Sequence, residues 1–549
     1  MLKEFLFYGK NKIDFPLDES IEVVDELEKD GHYLVSNSKE SNCDIYAPEI
    51  NFYIKNSKDS IADKIKNIKK LYDIRATIFD LAQDLDFSVE VGNKVLIVSD
   101  KAETELKNKL NEWGFTVIVI NPLNVLDVNG FIGKLRVTIK KEEELLDVEC
   151  DQIVWDNAPK FATKQSGVYS SDQLMKIRDN LGSYEYKNFI KYDPNICQYH
   201  ERNSEICGKC AEVCPTVAIL KEDEVKHLAF SHVDCHGCGG CISVCPSGAL
   251  DYAQMPRGAF FQVTKFFKDS IPLIIPRKME IENLEVALKE GVLPLAIEGE
   301  KFLHEAHLLS LAQTSGAQIV FYTDFISKGT GDVIRVLNEI YMKKYGKELV
   351  LVAKDKDELE ESLKRASFVD GSRYGINEDG LKKREIFSAR LSFLVGADDL
   401  GKVKTGEHVH YGNITINEST CTLCLSCVGA CNIRALTAHP EDNTLRFNPS
   451  ICTNCTYCEV VCPEPNTLHV IKDEIDLNPS YFKQNIMAKD ELFKCVECGV
   501  EFATVKSVER IASMMKPMFL GDEIKIRTLY CCADCKPKVM LQAHIKENR

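Results

Sequence analysis

The sequence lacks any long apolar segment. No run approaches the roughly 18 apolar residues of a membrane-spanning helix, and the first 15 residues, MLKEFLFYGKNKIDF, carry charges instead of the apolar core of a secretory signal. Basic residues are also outnumbered, 68 against 84 acidic ones, which gives a net charge of −16. This balance argues against nucleic acids and anionic membrane surfaces as partners. We therefore expect a cytoplasmic protein without direct membrane insertion.

Motifs for nucleotide binding and catalysis are also missing. The strand-like run KVLIVS (94–99) leads into DKAETEL, which has no glycine and so lacks the G-x-G-x-x-G phosphate turn. The run KGTG (328–331) opens a helical pattern and could hold a phosphate, but a plain helix start is the simpler interpretation. His304 and His307 lie on one helix face and are interpreted as a surface pair. No nucleophile–base set is recognisable, so no catalytic residue is predicted.

The 23 cysteines are unevenly distributed. Only Cys43 and Cys150 precede residue 197, and no cysteine lies between residues 246 and 420. The other cysteines form three short blocks. In a reducing compartment such blocks indicate metal binding rather than disulfides. Cys43 and Cys150 are interpreted as small apolar residues of the core.

The blocks 197–246 and 421–463 are an internal repeat. Seven cysteines of the first block coincide with cysteines of the second when 217 is added to their numbers. These are Cys207, Cys210, Cys214, Cys235, Cys238, Cys241 and Cys245, which correspond to Cys424, Cys427, Cys431, Cys452, Cys455, Cys458 and Cys462. The first cysteines of the two blocks, Cys197 and Cys421, do not fit this constant offset of 217.

Each block contains the C-x2-C-x2-C-x3-C pattern of [4Fe–4S] proteins, in which the fourth cysteine binds the neighbouring cluster. Three cysteines on a tight loop can reach three iron atoms, and the fourth is expected to start a helix. Three complete ligand sets follow from this pattern. They are Cys421, Cys424, Cys427 with Cys462; Cys452, Cys455, Cys458 with Cys431; and Cys235, Cys238, Cys241 with Cys214. Asn432 replaces the usual proline after Cys431.

A fourth set, Cys207, Cys210 and Cys245, lacks its first ligand because Ser204 stands where the pattern requires cysteine. Cys197 could bind through a longer loop, His200 or Ser204 could substitute, or the site could hold a three-iron cluster. Thiolate is the preferred iron–sulfur ligand, and the longer loop costs little closure entropy. We therefore predict that Cys197 completes a fourth [4Fe–4S] site.

The third block predicts a different metal site. Cys495 and Cys498 form one C-x2-C pair, and Cys532 and Cys535 form a second. Two such pairs are typical of a tetrahedral zinc site, although a single iron ion suits the same ligands. The adjacent Cys531 is predicted not to be a ligand.

The rest of the chain has an α/β pattern. A βαβ unit is predicted by two strand-like runs, KVLIVS and FTVIVI (115–120), that flank a helical stretch. A helix is predicted before this unit, at about 59–84, and a strand after it, within CDQIVWD (150–156). Four further strands, each followed by a helical pattern, are predicted in PLIIP, VLPLAIE, AQIVFYTD and ELVLVA. The predicted fold class is a multidomain α/β plus α+β protein. Its domains are an α/β domain (1–190), a ferredoxin-like dicluster domain (191–255), a second α/β domain (256–400), a second dicluster domain (401–477) and a zinc-ribbon-like domain (478–549).

The cysteine runs of both blocks resemble those of a bacterial family of polyferredoxin-type proteins. The runs are CQYHERNSEICGKCAEVCP and DCHGCGGCISVCPSGAL in the first block, and CTLCLSCVGACNIRAL and CTNCTYCEVVCPE in the second. Genes of that family commonly lie beside those of formate dehydrogenases. The middle segment is similar to the small iron–sulfur subunit linking hydrogenase to heterodisulfide reductase, but it lacks that subunit's cysteines. The resemblance implies electron transfer connected with a formate dehydrogenase as redox partner. The alternatives are an accessory or assembly factor for that enzyme, and a flavin- or nucleotide-binding oxidoreductase subunit.

Overall fold

The structure is a computed structural model that describes residues 4–9, 13–27, 31–83, 86–142, 144–204 and 206–547. The chain forms two compact units. Unit 1 comprises Met1–Pro194 and Tyr199–Leu381, and unit 2 comprises Asn195–Gln198 and Lys382–Arg549. None of the helices within the described ranges has the length and apolar character needed to cross a membrane.

Unit 1 begins with a parallel sheet of four short strands in the order β2–β1–β3–β4. The elements are β1 (Phe5–Tyr8), β2 (Ile21–Val24), β3 (Tyr33–Ser36), β4 (Cys43–Tyr46), α1 (Pro48–Asn56) and α2 (Ile61–Leu81). The hydroxyl of Tyr72 in α2 donates to the carbonyl of Leu6 at 2.8 Å. The sequence predicted α2 but not the strands, because four residues are too few to show a periodic pattern.

A second α/β segment contains the predicted βαβ unit. Its elements are β5 (Asp86–Val91), β6 (Lys94–Val98), α3 (Thr104–Glu112), β7 (Thr116–Ile120), β8 (Val125–Phe131), β9 (Lys134–Lys141), β10 (Glu144–Cys150), β11 (Gln152–Val154), α4 (Lys160–Thr163), β12 (Val168–Tyr169), α5 (Leu174–Asp179) and β13 (Gly182–Lys187). β12, β11, β6 and β7 form a parallel sheet, β8–β10 an antiparallel one, and β13 pairs with β5. The predicted parallel pairing is confirmed, since Lys94 lies opposite Thr116 and Val98 opposite Ile120.

The first cysteine block contains two antiparallel strand pairs and two short helices. Its elements are β14 (Ile190–Tyr192), α6 (Lys209–Glu212), β15 (Ile219–Glu222), β16 (His227–Phe230), α7 (Gly240–Val244) and β17 (Leu250–Tyr252). β14 pairs with β17, and β15 forms a hairpin with β16. The two helices contact each other.

The middle segment is a parallel sheet in the order β19–β18–β20–β21. Its elements are α8 (Arg257–Thr264), β18 (Ile271–Pro276), β19 (Val292–Ile297), α9 (Glu305–Ser315), β20 (Ile319–Tyr322), α10 (Lys328–Tyr345), β21 (Val350–Ala353) and α11 (Lys356–Arg365). All four predicted strands are present. Their residues are buried almost throughout, as in parallel sheets covered on both faces.

The helix predicted after the first of these strands is absent from residues 277–291, which are all described and form turns and an isolated bridge. Asn56 explains the difference. Its side chain accepts from the N–H of Val286 at 2.9 Å and donates to the carbonyl of Leu284 at 3.0 Å, and its own carbonyl accepts from Leu288. These tertiary hydrogen bonds replace the bonds that a helix would make.

The interpretation of His304 and His307 as a helix-surface pair is wrong. Their side chains are buried, with exposed fractions of 1% and 0%, and their rings stack 3.6 Å apart. His304 caps α9 by accepting from the N–H of Ala306 at 3.2 Å. The His307 ring lies 4.5 Å from that of Phe260 in α8. The spacing of the two histidines in the sequence does not reveal that α8 packs against the face of α9 on which they lie.

Unit 2 repeats the organisation of the first cysteine block. Its elements through this region are α12 (Lys383–Val395), β22 (Lys402–Lys404), β23 (Gly412–Ile416), α13 (Ser426–Ala430), β24 (Leu436–His439), β25 (Thr444–Phe447), α14 (Tyr457–Val460), β26 (Leu468–Lys472), β27 (Glu474–Asp476) and β28 (Asn485–Lys489). β23 pairs with β26, β22 with β27, and β24–β25–β28 form an antiparallel sheet. The hairpins β15–β16 and β24–β25 differ by 217 at every boundary, so the offset between the cysteines extends to the strands.

The C-terminal segment contains β29 (Leu492–Lys494), β30 (Glu501–Thr504), α15 (Val505–Met515), α16 (Glu523–Thr528) and α17 (Cys535–Glu547). β29 and β30 form an antiparallel hairpin. This hairpin carries the first cysteine pair of the third block at its turn, and the second pair lies at the start of α17.

The KGTG run serves helix packing. Ser327 caps α10 by accepting from the N–H of Thr330 at 3.1 Å. A methyl group on Gly329 would lie 2.6 Å from Val244 Cγ1 and 2.7 Å from Ser243 Oγ, both in α7. Gly329 therefore allows α10 to approach the first cysteine block closely, which favours the plain helix start over a phosphate site.

Candidate metal centres

One predicted ligand set of the first block surrounds a single cavity. Cys214, Cys235, Cys238 and Cys241 line an empty volume of about 430 Å³, and its remaining wall is mainly apolar. Cys214 follows α6 and Cys241 lies within α7, so the two helices bring sulfur atoms from both runs to one place.

Unit 2 contains two cavities of the same kind. Cys431, Cys452, Cys455 and Cys458 line an empty volume of about 390 Å³. Cys421, Cys424, Cys427 and Cys462 line one of about 350 Å³. In each cavity three cysteines come from one run and the fourth from the other, which is the exchange that the spacing predicted. Iron ligation by these residues remains a prediction.

The loops between the cysteines share an uncommon backbone conformation. The residue before the second cysteine and the residue after it have positive φ in all three complete runs. These residues are Gly237 and Gly239 (64° and 77°), Leu423 and Leu425 (52° and 63°), and Asn454 and Thr456 (54° and 65°). A left-handed conformation costs a residue other than glycine about 1–2 kcal/mol. Leucine at two of these positions gave no signal in the sequence.

The first left-handed residue directs its N–H at the first sulfur of each loop. Asn454 donates to Cys452 Sγ at 3.3 Å. Gly237 and Leu423 donate in the same way to Cys235 and Cys421. Such bonds orient the sulfur and tune the cluster that it binds. The second left-handed residue is the N-cap of the helix that carries the third cysteine.

The fourth cysteine of each run ends or directly follows a short helix and does not start one. Cys245 and Cys431 are the C-caps of α7 and α13. The expectation from the sequence was therefore wrong. The third and fourth cysteines are four residues apart and share one helical turn, which places the helix between two ligand sets.

The thiols fit a cationic cofactor. Burial raises the pKa of Cys235 to about 11 and the pKa values of Cys427 and Cys452 to about 12. Mutual repulsion of neighbouring cysteines adds to this effect. Thiolates in such cavities need a positive charge, which bound iron would supply as it displaces the protons.

Arg384 supplies a further positive charge that the sequence did not reveal. This residue of α12 is buried, and its guanidinium donates to the carbonyl oxygens of Cys452 at 3.1 Å and His410 at 2.6 Å. The guanidinium also lies 3.8 Å from the Tyr411 ring centroid. Its charge acts to lower the pKa of Cys452, although burial has the larger effect.

The cysteines of the fourth predicted ligand set are shielded from solvent to different degrees. Cys197, Cys210 and Cys245 are buried, and Cys207 is half-buried. Cys210 is close enough to Cys241 to help raise the pKa of that thiol. Ligation by Cys197 is untested and stays a prediction. Ser204 Oγ is buried and has no hydrogen-bond partner within the described part of the chain.

Strand register shows that Cys197 holds the same chain position as Cys421. Tyr192 is the last residue of β14 and pairs with Leu250; Ile416 is the last of β23 and pairs with Leu468. In each block the first cysteine follows five residues after that strand ends. The extra residues therefore lie between the first and second cysteines.

Asn432 has a role that proline could not fill. Its side chain donates to the carbonyls of Asn195 at 3.1 Å and Cys197 at 3.0 Å, and accepts from the amide of Gln198 at 2.8 Å. These bonds attach the segment 195–198 to unit 2. The substitution after Cys431 thus has a structural reason.

The third block brings its four cysteines together. The sulfur atoms of Cys495, Cys498, Cys532 and Cys535 lie within 4.8 Å of one another. Cys498 and Cys532 Sγ are 3.7 Å apart, and four sulfurs at 2.3 Å from a tetrahedral zinc ion would be about 3.8 Å apart. Cys531 instead donates its S–H to the carbonyl of Arg527 at 3.4 Å. The arrangement can hold one metal ion.

Two adjacent glycines test the loop geometry at the first cavity. A methyl group on Gly239 would lie 2.4 Å from Phe302 Cβ, whereas the nearest atom to one on Gly240 is Lys301 Cδ at 3.7 Å. Gly239→Ala should destabilise the protein by about 2–4 kcal/mol through the left-handed backbone and the clash. Anaerobic thermal unfolding and iron analysis should show lower stability and less iron. Gly240→Ala is the matched control, and equal behaviour of the two variants would contradict the geometry.

Substitution of two adjacent cysteines tests which of them binds the metal of the third block. Cys532→Ser should lose the bound metal because serine replaces one of four converging thiolates. Cys531→Ser should retain it because Cys531 bonds to a carbonyl. Metal content per chain by elemental analysis distinguishes them, and retention by Cys532→Ser with loss by Cys531→Ser would show that the pair is read in the wrong register.

The comparisons with known proteins agree with this geometry. Residues 188–249 match the family model of a 4Fe-4S dicluster domain, and residues 413–463 match that of a second 4Fe-4S dicluster domain. No curated protein matches the chain. The matched ranges contain the two cysteine blocks with all their predicted cluster ligands. The chain therefore carries two 4Fe-4S dicluster ferredoxin domains.

Proposed function

We propose that this protein transfers electrons through four [4Fe–4S] clusters and exchanges them with a formate dehydrogenase. The observation that carries the proposal is the presence of three cavities, each lined by four cysteines from both runs of a block. A bound [4Fe–4S] cluster accepts and releases single electrons. The fourth site would be held by Cys197, Cys207, Cys210 and Cys245. The formate dehydrogenase link rests on the resemblance alone.

The chain's own groups would hold the clusters and set their potentials. Cysteine thiolates bind iron, and the N–H groups of Gly237, Leu423 and Asn454 orient the first sulfur of each loop. Arg384 places a buried positive charge beside Cys452, which would favour the more negative, reduced form of a cluster held there. Different potentials at different sites would give electron transfer a direction.

The third block would bind structural zinc. Its sulfur spacing suits a tetrahedral ion, and structural zinc sites of four cysteines use two such pairs. The ion would fasten the turn between β29 and β30 to the start of α17. A single iron ion remains the alternative occupant.

A role as an accessory or assembly factor for formate dehydrogenase is the second candidate. It is favoured by an exposed apolar surface in the C-terminal segment. Ile511, Met514, Met518 and Leu520 have exposed fractions of 48%, 52%, 70% and 95%. Exposed methionine and leucine side chains suit an adaptable protein-binding surface. A flavin-binding role is not favoured, because Gly329 is used in helix packing.

Electron transfer predicts that formate and formate dehydrogenase reduce the iron–sulfur absorbance of the anaerobic protein. The double variant Cys424→Ser/Cys455→Ser should lose about eight of about sixteen iron atoms and be reduced much more slowly. Cys43→Ser is the control, since that residue lies outside all three blocks. Unchanged binding of the enzyme by the double variant, without any reduction of the wild type, would instead support the accessory role.

If Cys197 binds the cluster of the fourth site, Cys197→Ala should change that cluster only. Loss of one thiolate should remove up to about four iron atoms or leave a three-iron cluster. Iron analysis and EPR of the oxidised protein detect either result, and Cys150→Ala serves as the buried-cysteine control. Iron content and EPR spectra identical to those of wild type would exclude Cys197 as a ligand.

A further inference from the structure

Within the insertion between Cys197 and Cys207, Tyr199 and Glu201 contact the hairpin β15–β16, which belongs to the same unit. Tyr199 is fully buried, and its hydroxyl donates to Asp223 Oδ1 at 2.6 Å. The N–H of Glu201 donates to the carbonyl of Lys226 at 3.1 Å. The start of the insertion therefore has a defined position against the hairpin turn.

The backbone at this contact is constrained. Glu201 and Lys226 both have left-handed conformations, with φ of 52° and 54°. Each costs about 1–2 kcal/mol for a residue with a side chain. This conformation places Glu201 beside His227, the first residue of β16.

Three side chains converge there. Glu201 Oε1 lies 3.7 Å from His200 Nε2 and 3.9 Å from His227 Nε2. The two imidazole rings are 4.6 Å apart, and one ligand atom from each residue lies within 4.8 Å of the others. Ligand atoms at about 2.0–2.2 Å from a tetrahedral zinc ion are about 3.3–3.6 Å apart. Small side-chain rotations would therefore produce the required geometry.

The surroundings suit a cation. Lys226, which precedes His227, has its Nζ 3.8 Å from Asp223 Oδ1, so a carboxylate offsets its charge. His200 Nδ1 is buried and has no hydrogen-bond partner within the described ranges. His227 is about half exposed, which leaves a path from solvent.

We propose that His200, Glu201 and His227 bind a divalent transition-metal ion such as Zn²⁺, which fastens the insertion to the hairpin. Two imidazoles and one carboxylate are suitable ligands for this class of ion, and a water molecule would complete its coordination. The site is distinct from the cysteine sites and does not depend on the proposed electron transfer.

Zinc stoichiometry of the full-length protein tests the site. Anaerobic protein is dialysed against micromolar Zn²⁺, and zinc and iron per chain are measured. Wild type should hold one more zinc ion than His200→Ala/His227→Ala. Glu201→Gln should weaken zinc binding at this site by at least about tenfold. Glu201 is largely exposed, so this variant should fold normally. His32→Ala is the control because His32 is an exposed histidine 3.1 Å from Asp44.

Equal zinc content in wild type and the double variant would overturn the site. Loss of zinc in His32→Ala as well would show nonspecific surface binding and overturn it too. If iron falls in the double variant while zinc is unchanged, His200 is a cluster ligand and the proposal is wrong. Zinc loss with full iron content supports it, whatever the outcome of the electron-transfer experiment.

Discussion

The cluster domains depend on one constraint: three cysteines within a span of seven residues must direct their sulfur atoms into one cavity. The structure meets the constraint with two left-handed residues around the second cysteine of each complete run. One of them directs its N–H at the first sulfur, and the other starts the helix that carries the third. Their conformational cost is acceptable where metal binding compensates for it.

In unit 1 the middle α/β segment supports the first dicluster domain at its cysteine loop. Phe302 packs against Gly239, and the N–H of Lys301 donates to the carbonyl of Cys238 at 3.0 Å. On the other side of α7, Gly329 allows α10 to approach. These contacts shield the loop from water, and solvent exposure is one of the factors that set a cluster potential. The segment thus has a physical role without a ligand of its own.

In unit 2 polar side chains provide comparable support. Arg384 bonds to the backbone of the Cys452 loop, and Ser388 of the same helix meets Ser450 at 2.6 Å. Asn432 binds the segment 195–198 through three hydrogen bonds. Because proline has no side-chain donor, this attachment requires the departure from the usual motif after Cys431.

Much of the architecture was predictable because cysteine spacing and runs of buried apolar residues are local signals. They indicated the grouping of cysteines at three cavities, the convergence of the third block and the parallel sheets. Tertiary contacts decided the rest. Asn56 prevented a helix at 277–291, α8 buried His304 and His307, and the turn at Glu201 brought His200 to His227. The sequence by itself determined which residues could bind metal, whereas only the folded chain decided which distant side chains meet, because those contacts join residues that no short pattern relates.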